Sequence, residues 1–315
     1  MPELPEVQTV VNDLNEKIKG DTITDFWSEW PKAIKGKTLA VFKKEIVGRK
    51  ILGVRRIGKN IFVDLSGEKT LYLHLKMTGH LLIKSKVQSR KSKVDGKDYF
   101  EDRVNQYIRH KFYLKSEIRK SKSETISKTE TQNTKDKKNI KFNKVIEFSD
   151  VRKFAKIVLV DTDKVLELPE IKALGIDAVS PDFTFKKFNE ILDRKAKSPI
   201  GIILMDQNLI AGIGNIYRSE ILFVAGILPT RLAGNISTIE RKKLFGWIGK
   251  ILRHAIKLRG TSDSDYRDTS GAPGGFQKVL KVYRKAGEKC QKCDTIIVRE
   301  TIGQRSVFFC PKCQK

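Results

Sequence analysis

The chain has 315 residues, enough for about two domains, and it contains no run of the ~18 or more apolar residues that a membrane-spanning helix requires. Its first 30 residues are interrupted by acidic side chains and lack the apolar stretch of a secretion signal, so we expect a cytoplasmic protein without membrane association. The 63 Lys and Arg outnumber the 37 Asp and Glu and give a net charge of +26, which predicts a nucleic acid partner because each neutralised phosphate releases a counterion.

An amphipathic helix and a set of short strands are predicted for the N-terminal half. Val7, Val10 and Leu14 recur at helical spacing, with a proline near the start of the pattern and a glycine just past its end. Six short apolar runs then predict strands, at 51–54, 61–65, 70–75, 108–114, 144–148 and 155–160. We therefore expect a β-rich domain with one N-terminal helix.

Two polar, lysine-rich stretches interrupt this half. Residues 84–97 and 115–143 contain almost no large apolar side chains, so neither can bury a face against a core. We expect both to be solvated basic insertions in the β-rich domain. Their lysines also suit contact with nucleic acid phosphates.

The pattern becomes helical after residue 169. Apolar spacing predicts helices over 183–196, 207–224 and 238–258. A loop of Gly, Ser, Asp and Thr follows at 260–276, and the last segment, from residue 278, has the pattern of short strands. The expected fold class is therefore α+β, with several domains.

All four cysteines lie in the last 26 residues, as two Cys-x2-Cys pairs separated by sixteen residues. This spacing is typical of a tetrahedral zinc site, and the absence of an export signal argues against disulfides. We expect Cys290, Cys293, Cys310 and Cys313 to hold one Zn²⁺. Four sulfur ligands leave no position for a catalytic water, so the predicted role of the metal is structural.

The N-terminus offers a candidate nucleophile. A small residue at position 2 permits removal of Met1, which leaves the secondary amine of Pro2 as the terminus. An α-amino group titrates near pH ~8, so part of it is free base at neutral pH and can attack an electrophilic carbon. Glu3 and Glu6 are the neighbouring candidate acids. A proline-rich lead into the first helix is the alternative interpretation.

The segment 207–217 places two glycines and an asparagine between two helical stretches. Glycines let a chain turn tightly and bring its amides close to a phosphate. A tight corner between packed helices explains the same residues equally well.

Taken together, these features resemble the formamidopyrimidine-DNA glycosylases, within the wider Fpg/Nei family. The resemblance is carried by six motifs in order, at 2–7, 58–60, 74–79, 150–154 and 212–217, and by the four-cysteine ribbon with its Gln304-Arg305 pair. The resemblance implies an N-terminal β-sandwich with a leading helix, a helix–two-turns–helix domain and a C-terminal zinc-finger β-hairpin. The corresponding boundaries are 1–166, 167–277 and 278–315, with a base-capping loop at 261–276.

The resemblance also implies roles for individual residues. The catalytic set would be Pro2, Glu3, Lys59 and Arg305. The DNA-contacting set would be Met77, Arg109, Arg152, Lys153, Phe154, Lys197 and Asn215. The substrate-base pocket would comprise Glu6, Ser264, Asp265 and Tyr266. Within these sets, Met77, Arg152 and Phe154 match the trio that fills the space left when a damaged base is flipped out of the duplex.

The implied function is that of a bifunctional glycosylase and AP lyase, acting as a monomer on double-stranded DNA that contains oxidised purines. A Nei-like enzyme for oxidised pyrimidines is one alternative. The others are a non-catalytic zinc-ribbon protein that binds nucleic acid and a repair fold that has lost its activity. The intact Pro2, Glu3, Lys59 and Arg305 argue against the last of these.

Several positions depart from the family pattern. Arg218-Ser219 looks more like the Nei side, while Val151, Lys153 and Ala155 are variants of common residues. A basic residue usual near position 201 is missing, which leaves Lys197 as the nearest replacement. The family's DNA-contacting histidine has no clear match, and Arg109 and His110 are the candidates.

Overall fold

The computed structural model describes residues 1–85, 98–116 and 142–315. The central parts of the two expected basic insertions, 86–97 and 117–141, lie outside the described residues. In the described part of the chain, no helix is long and apolar enough to cross a membrane.

The N-terminal part is a sandwich of two four-stranded sheets, as the family resemblance implied, and the strand pattern had predicted six of its eight strands. One sheet has the order β1-β6-β7-β5 and the other the order β2-β3-β4-β8, and neighbouring strands in both are antiparallel. A single apolar cluster joins the two sheets, as strands pack face to face to exclude water. The strands are β1 Thr22–Ser28, β2 Ile51–Ile57, β3 Asn60–Leu65, β4 Lys69–His74, β5 His80–Ser85, β6 Ile108–Lys115, β7 Lys144–Ser149 and β8 Lys156–Asp161.

Helix α1, Leu4–Ile18, is buried along most of its length. Pro5 lies in its first turn, where a missing N–H costs nothing, and the Glu3 N–H donates to Glu6 Oε2 at 2.7 Å. Val7 and Val10 belong to the sandwich core, whereas Leu4 belongs to the core of the helical domain. The helix therefore carries the chain terminus into the junction between the two domains.

The expectation of a single helix in this half is wrong, because a second helix, α2, spans Leu39–Ile46. The Thr38 hydroxyl caps it by accepting a hydrogen bond from the Val41 N–H at 3.3 Å. Only Phe42 and Ile46 are buried, and two apolar residues four apart give too short a pattern to stand out among strands.

The helical domain packs around its own apolar cluster. Its helices are α3 Pro169–Lys172, α4 Phe185–Arg194, α5 Ile200–Ile203, α6 Asn215–Ala225 and α7 Thr238–Lys257, and its two short parallel strands are β9 Ile176–Asp177 and β10 Ile210–Ala211. The expected helix over 207–224 is correct only from Asn215 onward. Gly212 has φ +111°, and Gln207 holds the turn by donating to the Ile213 carbonyl at 2.7 Å and accepting from the Gly212 N–H at 3.0 Å.

The C-terminal segment forms an antiparallel hairpin of β11, Val298–Ile302, and β12, Arg305–Phe309. Cys310 and Phe308 belong to the same apolar cluster as the helical domain. The Gln314 amide donates to the Ile227 carbonyl at 2.9 Å, and the Leu228 N–H donates to the Lys315 carbonyl at 3.0 Å. The hairpin is thereby fixed against the end of α6.

Candidate active site and metal centre

A cavity of about 390 Å³ lies where the sandwich, the helical domain and the C-terminal hairpin meet. The sandwich domain contributes Met1, Pro2, Glu3, Lys59 and Met77. The helical domain and hairpin contribute Met205, Gln207, Gly214, Asn215, Ile216, Thr261, Asp263, Ser264, Tyr266, Tyr283, Arg284 and Arg305. The four residues expected to be catalytic, Pro2, Glu3, Lys59 and Arg305, all line this one cavity.

The Glu3 carboxylate sits at the N-terminus of α6. Its Oε2 accepts from the Gly214 N–H at 2.8 Å and its Oε1 from the Ile216 N–H at 2.9 Å. These amides have no partner within the helix, and the helix dipole favours a negative charge at this end. A Cβ on Gly214 would lie 2.3 Å from the Glu3 carboxyl carbon, so only glycine permits this approach.

Pro2 is buried and precedes Glu3 directly, while Met1 is 49% exposed. Both residues line the cavity. Removal of Met1 would therefore leave the Pro2 amine inside the cavity, next to the Glu3 carboxylate.

Lys59 lies between strands β2 and β3, is 7% exposed and donates from Nζ to the Ile213 carbonyl at 2.9 Å. Burial lowers the pKa of Lys59, and the positive charge of Arg305 adds to this, while Glu3 and Glu6 oppose it. A lysine held this way has a larger neutral fraction than an exposed one, which suits a group that must exchange protons.

Glu6 lies beneath the cavity and does not line it, although the sequence suggested a place in the base pocket. Its Oε1 accepts from the Tyr217 hydroxyl at 2.5 Å and from the Thr261 N–H at 2.7 Å. The pKa of Glu6 is raised to about 7, mainly by burial and then by the Glu3 charge, and these two effects outweigh the lowering effect of the hydrogen bonds. Glu6 therefore links the nucleophile end of α1 to the start of the 261–276 loop.

The residues expected to fill the flipped-out position are on the surface. Met77 is 39% exposed and Phe154 53% exposed, and the Arg152 guanidinium lies 4.8 Å from the centre of the Phe154 ring. Buried Asp150 accepts at Oδ2 from the Ala155 N–H at 2.8 Å and at Oδ1 from the Thr78 hydroxyl. The turn that carries Met77 and the loop that carries Arg152 and Phe154 are thus one hydrogen-bonded unit.

His74 fixes the backbone of the Met77 turn. Its Nδ1 accepts from the Lys76 N–H at 2.9 Å, and Lys76 has φ +55°, a left-handed conformation that this acceptor stabilises. Burial, together with the positive charge of Lys76, lowers the pKa of His74 to about 3. The imidazole is therefore neutral at physiological pH, as an acceptor must be.

Arg218, the Nei-like departure, is 1% exposed and connects three elements behind the cavity. It donates to the Asn215 side-chain oxygen, to the Gly201 carbonyl at 3.2 Å and to the Ser306 carbonyl at 2.9 Å. Asn215 lines the cavity, and Ser306 follows Arg305 in β12. Arg218 therefore contacts Asn215, which is expected to contact DNA, and the chain neighbour of Arg305, which is expected to be catalytic.

The 261–276 loop contributes Ser264 and Tyr266 to the cavity, but Asp265 is not among the lining residues. Tyr266 is 6% exposed and packs into the sandwich core. Farther along, Arg267 pairs with Asp102 at 2.8 Å, and the Thr269 hydroxyl donates to Asp13 at 2.7 Å. The loop is thus anchored to the sandwich domain from Tyr266 onward.

Several lining residues were not named individually from the sequence, among them Asp263, Tyr283 and Arg284. Asp263 pairs with Arg284 at 3.1 Å and accepts from the Tyr283 hydroxyl at 3.4 Å. Tyr283 and Arg284 lie in the connection between α7 and the zinc ribbon, where no motif marks them. The only sequence features that could have marked them as site residues were the charge of Arg284 and the closeness of both residues to Cys290 in the chain.

The remaining expected DNA contacts lie outside the cavity. Arg109 donates to the Asp150 carbonyl at 3.1 Å and pairs with Glu29 at 2.7 Å, so it supports the Phe154 loop. Lys153 lies 4.8 Å from the Trp30 ring. Lys197 is exposed before α5 and does not line the cavity. Arg109 and His110 were the candidates to replace the family's DNA-contacting histidine. His110 is fully buried beside Phe26, so Arg109 is the better placed of the two.

The four cysteines form a compact group. All four Sγ atoms lie within 4.8 Å of one another, with separations of 3.9 Å for Cys290 to Cys313, 3.5 Å for Cys293 to Cys310 and 3.3 Å for Cys293 to Cys313. Tetrahedral zinc with Zn–S bonds of ~2.3 Å requires sulfurs just under ~4 Å apart, so the group fits the metal. The protein has one structural zinc site, which links the two knuckles at the base of the hairpin that carries Arg305.

Models of three protein domains match the chain in order. The formamidopyrimidine-DNA glycosylase N-terminal domain matches residues 1–157, and the H2TH domain of the same enzymes matches residues 174–266. The zinc finger found in Fpg and isoleucyl-tRNA synthetase matches residues 287–315.

Whole-chain relatives carry the same description. The chain is 36% identical to formamidopyrimidine-DNA glycosylase of Carboxydothermus hydrogenoformans, and the match covers 100% of both chains. It is 34% identical to the enzyme of Pelotomaculum thermopropionicum, and that match covers 100% of this chain and 99% of the relative. Among solved structures, the Lactococcus lactis Fpg bound to abasic-site DNA has a TM-score of 0.79 and 29% identity, with 99% of each chain covered. A MutM complex with DNA containing carbocyclic 8-oxoguanine has a TM-score of 0.78 and 30% identity, with full coverage of both chains.

Proposed function

Because this chain belongs to the formamidopyrimidine-DNA glycosylase family and is a DNA glycosylase of base excision repair, we propose that it excises oxidised purines through a covalent intermediate on Pro2. The observation that carries the proposal is the convergence of Pro2, Glu3, Lys59 and Arg305 on one cavity. These residues come from the chain terminus, a turn of the sandwich and the zinc hairpin, and packing alone gives no reason for a nucleophile, an acid and two cations to meet there.

The proposed substrate is double-stranded DNA in which the oxidised base has been flipped into the cavity. Arg305 and Asn215 are suited to hold the phosphates around the flipped nucleotide, because both side chains present N–H donors at the cavity wall. Ser264 and the adjacent backbone are suited to contact the base. Met77, Arg152 and Phe154 would occupy the space left in the duplex.

The chemistry begins with attack of the Pro2 nitrogen on the sugar C1′. The C1′–N glycosidic bond breaks, its electrons leave with the base, and the base takes up a proton. As the N–C1′ bond forms, the Pro2 nitrogen loses its proton to the Glu3 carboxylate, and Glu3 would pass that proton to the ring oxygen as the ring opens, leaving an iminium between Pro2 and C1′. The iminium acidifies the C2′ proton, whose removal expels the 3′ phosphate, and a second elimination expels the 5′ phosphate before water releases the enzyme.

Zinc does not enter these steps. When bound, it supplies structural cross-linking of four thiolates. The chain's own contribution is to hold β12 against α6, so that Arg305 and Asn215 line the same cavity.

We further infer that the protein works as a monomer in the cytoplasm. One chain supplies every residue of the proposed catalytic set, and the metal-binding group requires cysteines that remain reduced. The domain boundaries at residues 166 and 277 are part of the same proposal.

A Nei-like preference for oxidised pyrimidines is the second candidate, and Arg218 favours it. Arg218 and Ser219 follow the Asn215 motif with Nei-like residue types, and Arg218 positions Asn215 directly. The trio of Met77, Arg152 and Phe154 instead favours a preference for oxidised purines, because those three side chains would meet the orphaned partner base.

Single-turnover strand cleavage tests the proposal. Duplexes carrying 8-oxoguanine opposite cytosine and thymine glycol opposite adenine are compared with wild-type protein, Glu3→Gln and Glu16→Gln, the last being an exposed carboxylate on the same helix. We expect faster cleavage at 8-oxoguanine, a loss of about 100-fold or more in Glu3→Gln and no change in Glu16→Gln. Faster cleavage at thymine glycol would support the Nei-like alternative, and no cleavage of either duplex would contradict both.

A further inference from the structure

A second depression lies beside the catalytic cavity, on the far side of the Met77 turn. It has a volume of about 620 Å³ and is lined by five lysines, Lys32, Lys35, Lys76, Lys153 and Lys156. Trp30 and Phe154 form its apolar walls. We call this surface the lysine groove.

The charges of the lysine groove are poorly compensated. Within the described residues, Lys156 pairs with Glu170, and Lys153 lies 4.0 Å from Glu29, whose shorter contact is to Arg109. No ion pair in that part of the chain reaches Lys32, Lys35 or Lys76. Like charges held this close raise the local positive potential, so the groove is suited to an anion with several charges.

Trp30 orders part of this charge. The Lys153 ammonium lies 4.8 Å and the Lys32 ammonium 5.3 Å from the Trp30 ring centre. Cation–π contacts favour ammonium groups over the ring face, so the two charges are held close to one half-buried side chain. The groove is therefore more ordered than a set of freely moving surface lysines.

The lysine groove and the catalytic cavity are separated by one turn. Met77 lines the cavity and Lys76, its neighbour in the chain, lines the groove. The left-handed backbone at Lys76 and its hydrogen bond to His74 hold the two side chains on opposite sides of a ridge. Phe154 lies on the groove side of this ridge, next to the residues expected to meet the orphaned base.

From this arrangement we propose that the lysine groove binds the sugar-phosphate backbone of the undamaged DNA strand, next to the orphaned base. The inference rests on the proposed function, which puts the damaged nucleotide in the cavity. A duplex that crosses the ridge with its damaged strand over the cavity must place its other strand over the opposite slope. The groove supplies cations there, and phosphates are the repeated anions that this strand presents.

Binding measurements separate this role from catalysis. The ligand is a duplex with a tetrahydrofuran abasic analogue opposite cytosine, which needs no excision. Lys32→Gln/Lys35→Gln removes two exposed charges from the groove, and Lys186→Gln/Lys187→Gln removes two exposed charges from α4 as a matched control. Each protein is titrated between 50 and 200 mM salt.

We expect the groove variant to bind the duplex more weakly than the wild type at 50 mM salt. The slope of log affinity against log salt concentration should be smaller in magnitude by ~1.8, so the affinity difference from the wild type should shrink about tenfold by 200 mM. We expect no such change in the α4 variant. Neutral methylphosphonates in the undamaged strand beside the orphaned cytosine should weaken the wild type to the same extent and remove the difference between wild type and groove variant.

The strand assignment is overturned if neutral linkages in the undamaged strand leave that difference intact, or if only those in the damaged strand remove it. If the groove variant and the α4 variant lose DNA affinity equally, the groove lysines act only as general surface charge, and the proposal is also overturned. Single-turnover cleavage at saturating protein should be unchanged in the α4 variant. Absence of cleavage in the wild type would instead contradict the proposed function and leave the binding result interpretable.

Discussion

The Thr78 hydroxyl donates a hydrogen bond of 2.5 Å to the Asp150 carboxylate, and through this pair the Met77 turn and the Arg152–Phe154 loop become one unit. Asp150 is fully buried, and its other oxygen accepts from the Ala155 N–H. Thr78 also accepts from the Arg152 N–H at 3.1 Å. The side chains that would replace a flipped base are therefore positioned together.

Breaking this pair should impair base extrusion more than strand cleavage. In Thr78→Val, the Asp150 oxygen loses a partner in a buried site, at a cost of about 1–3 kcal/mol in the free energy of unfolding. We expect slower single-turnover cleavage at 8-oxoguanine and a smaller change at a preformed abasic site, which has no base to extrude. Thr78→Ser keeps the hydroxyl and should behave like the wild type. Equal losses on both duplexes would contradict a role in extrusion.

Glu6 should make stability depend on pH near neutrality. Its pKa of about 7 in the folded protein exceeds the ordinary value of 4.5, so the fold favours the protonated form. This preference contributes on the order of 3 kcal/mol to the free energy of unfolding. The contribution is fully present below pH 4.5 and is lost as pH rises through 7.

Chemical denaturation at pH 5 and pH 8 measures this effect. Glu6→Gln cannot ionise, so its free energy of unfolding should fall less than that of the wild type between the two pH values. Glu16→Gln is the exposed control on the same helix. Parallel curves for wild type and Glu6→Gln would show that Glu6 is ionised throughout.

His74 should have the opposite dependence on pH. Its folded pKa of about 3 lies below the ordinary 6.5, so the unfolded chain takes up a proton that the folded chain does not. Stability is full above pH 6.5 and falls as pH decreases toward 3, by about 2 kcal/mol at pH 5. In His74→Phe this loss should disappear when the melting temperature is compared at pH 7 and pH 5. An unchanged pH dependence in the variant would place the titrating group elsewhere.

Removal of zinc should abolish DNA binding without unfolding the sandwich. The four thiolates hold a hairpin whose own core is small, so chelation should disorder β11 and β12 and displace Arg305. We expect one zinc per chain by metal analysis, and loss of binding to abasic duplex when a chelator removes it. Cys293→Ser should lower zinc affinity, and readdition of Zn²⁺ should restore binding in the wild type. Full binding by the metal-free protein would contradict this account.

Most of the architecture was predictable because its signals are local. The sandwich strands follow short apolar runs, and the zinc site follows cysteine spacing. Helix α2 was missed because only Phe42 and Ile46 face the core. The segment 207–214 has helical composition, but Gly212 and the Gln207 side chain impose a turn that only the tertiary structure requires.

The site was predicted less completely than the fold. Pro2 and Glu3 could be proposed from chain chemistry, and Lys59 and Arg305 from motifs. The burial of Glu6 under the cavity could not be predicted, because it depends on Tyr217 and Thr261, which lie more than 200 residues away in the chain. The contact between Asp263 and Tyr283 could not be predicted either, because it joins the 261–276 loop to a connection that carries no motif.

The most direct test of the central claim is the position of the covalent bond. The protein is incubated with 8-oxoguanine duplex and borohydride, digested with protease, and the peptide that carries the reduced sugar is identified by mass spectrometry. We predict an adduct on the N-terminal nitrogen of a peptide that begins at Pro2 and lacks Met1, with the adduct strongly reduced in Pro2→Gly. An adduct on Lys59 or another lysine, or a reactive protein that retains Met1, would contradict the account.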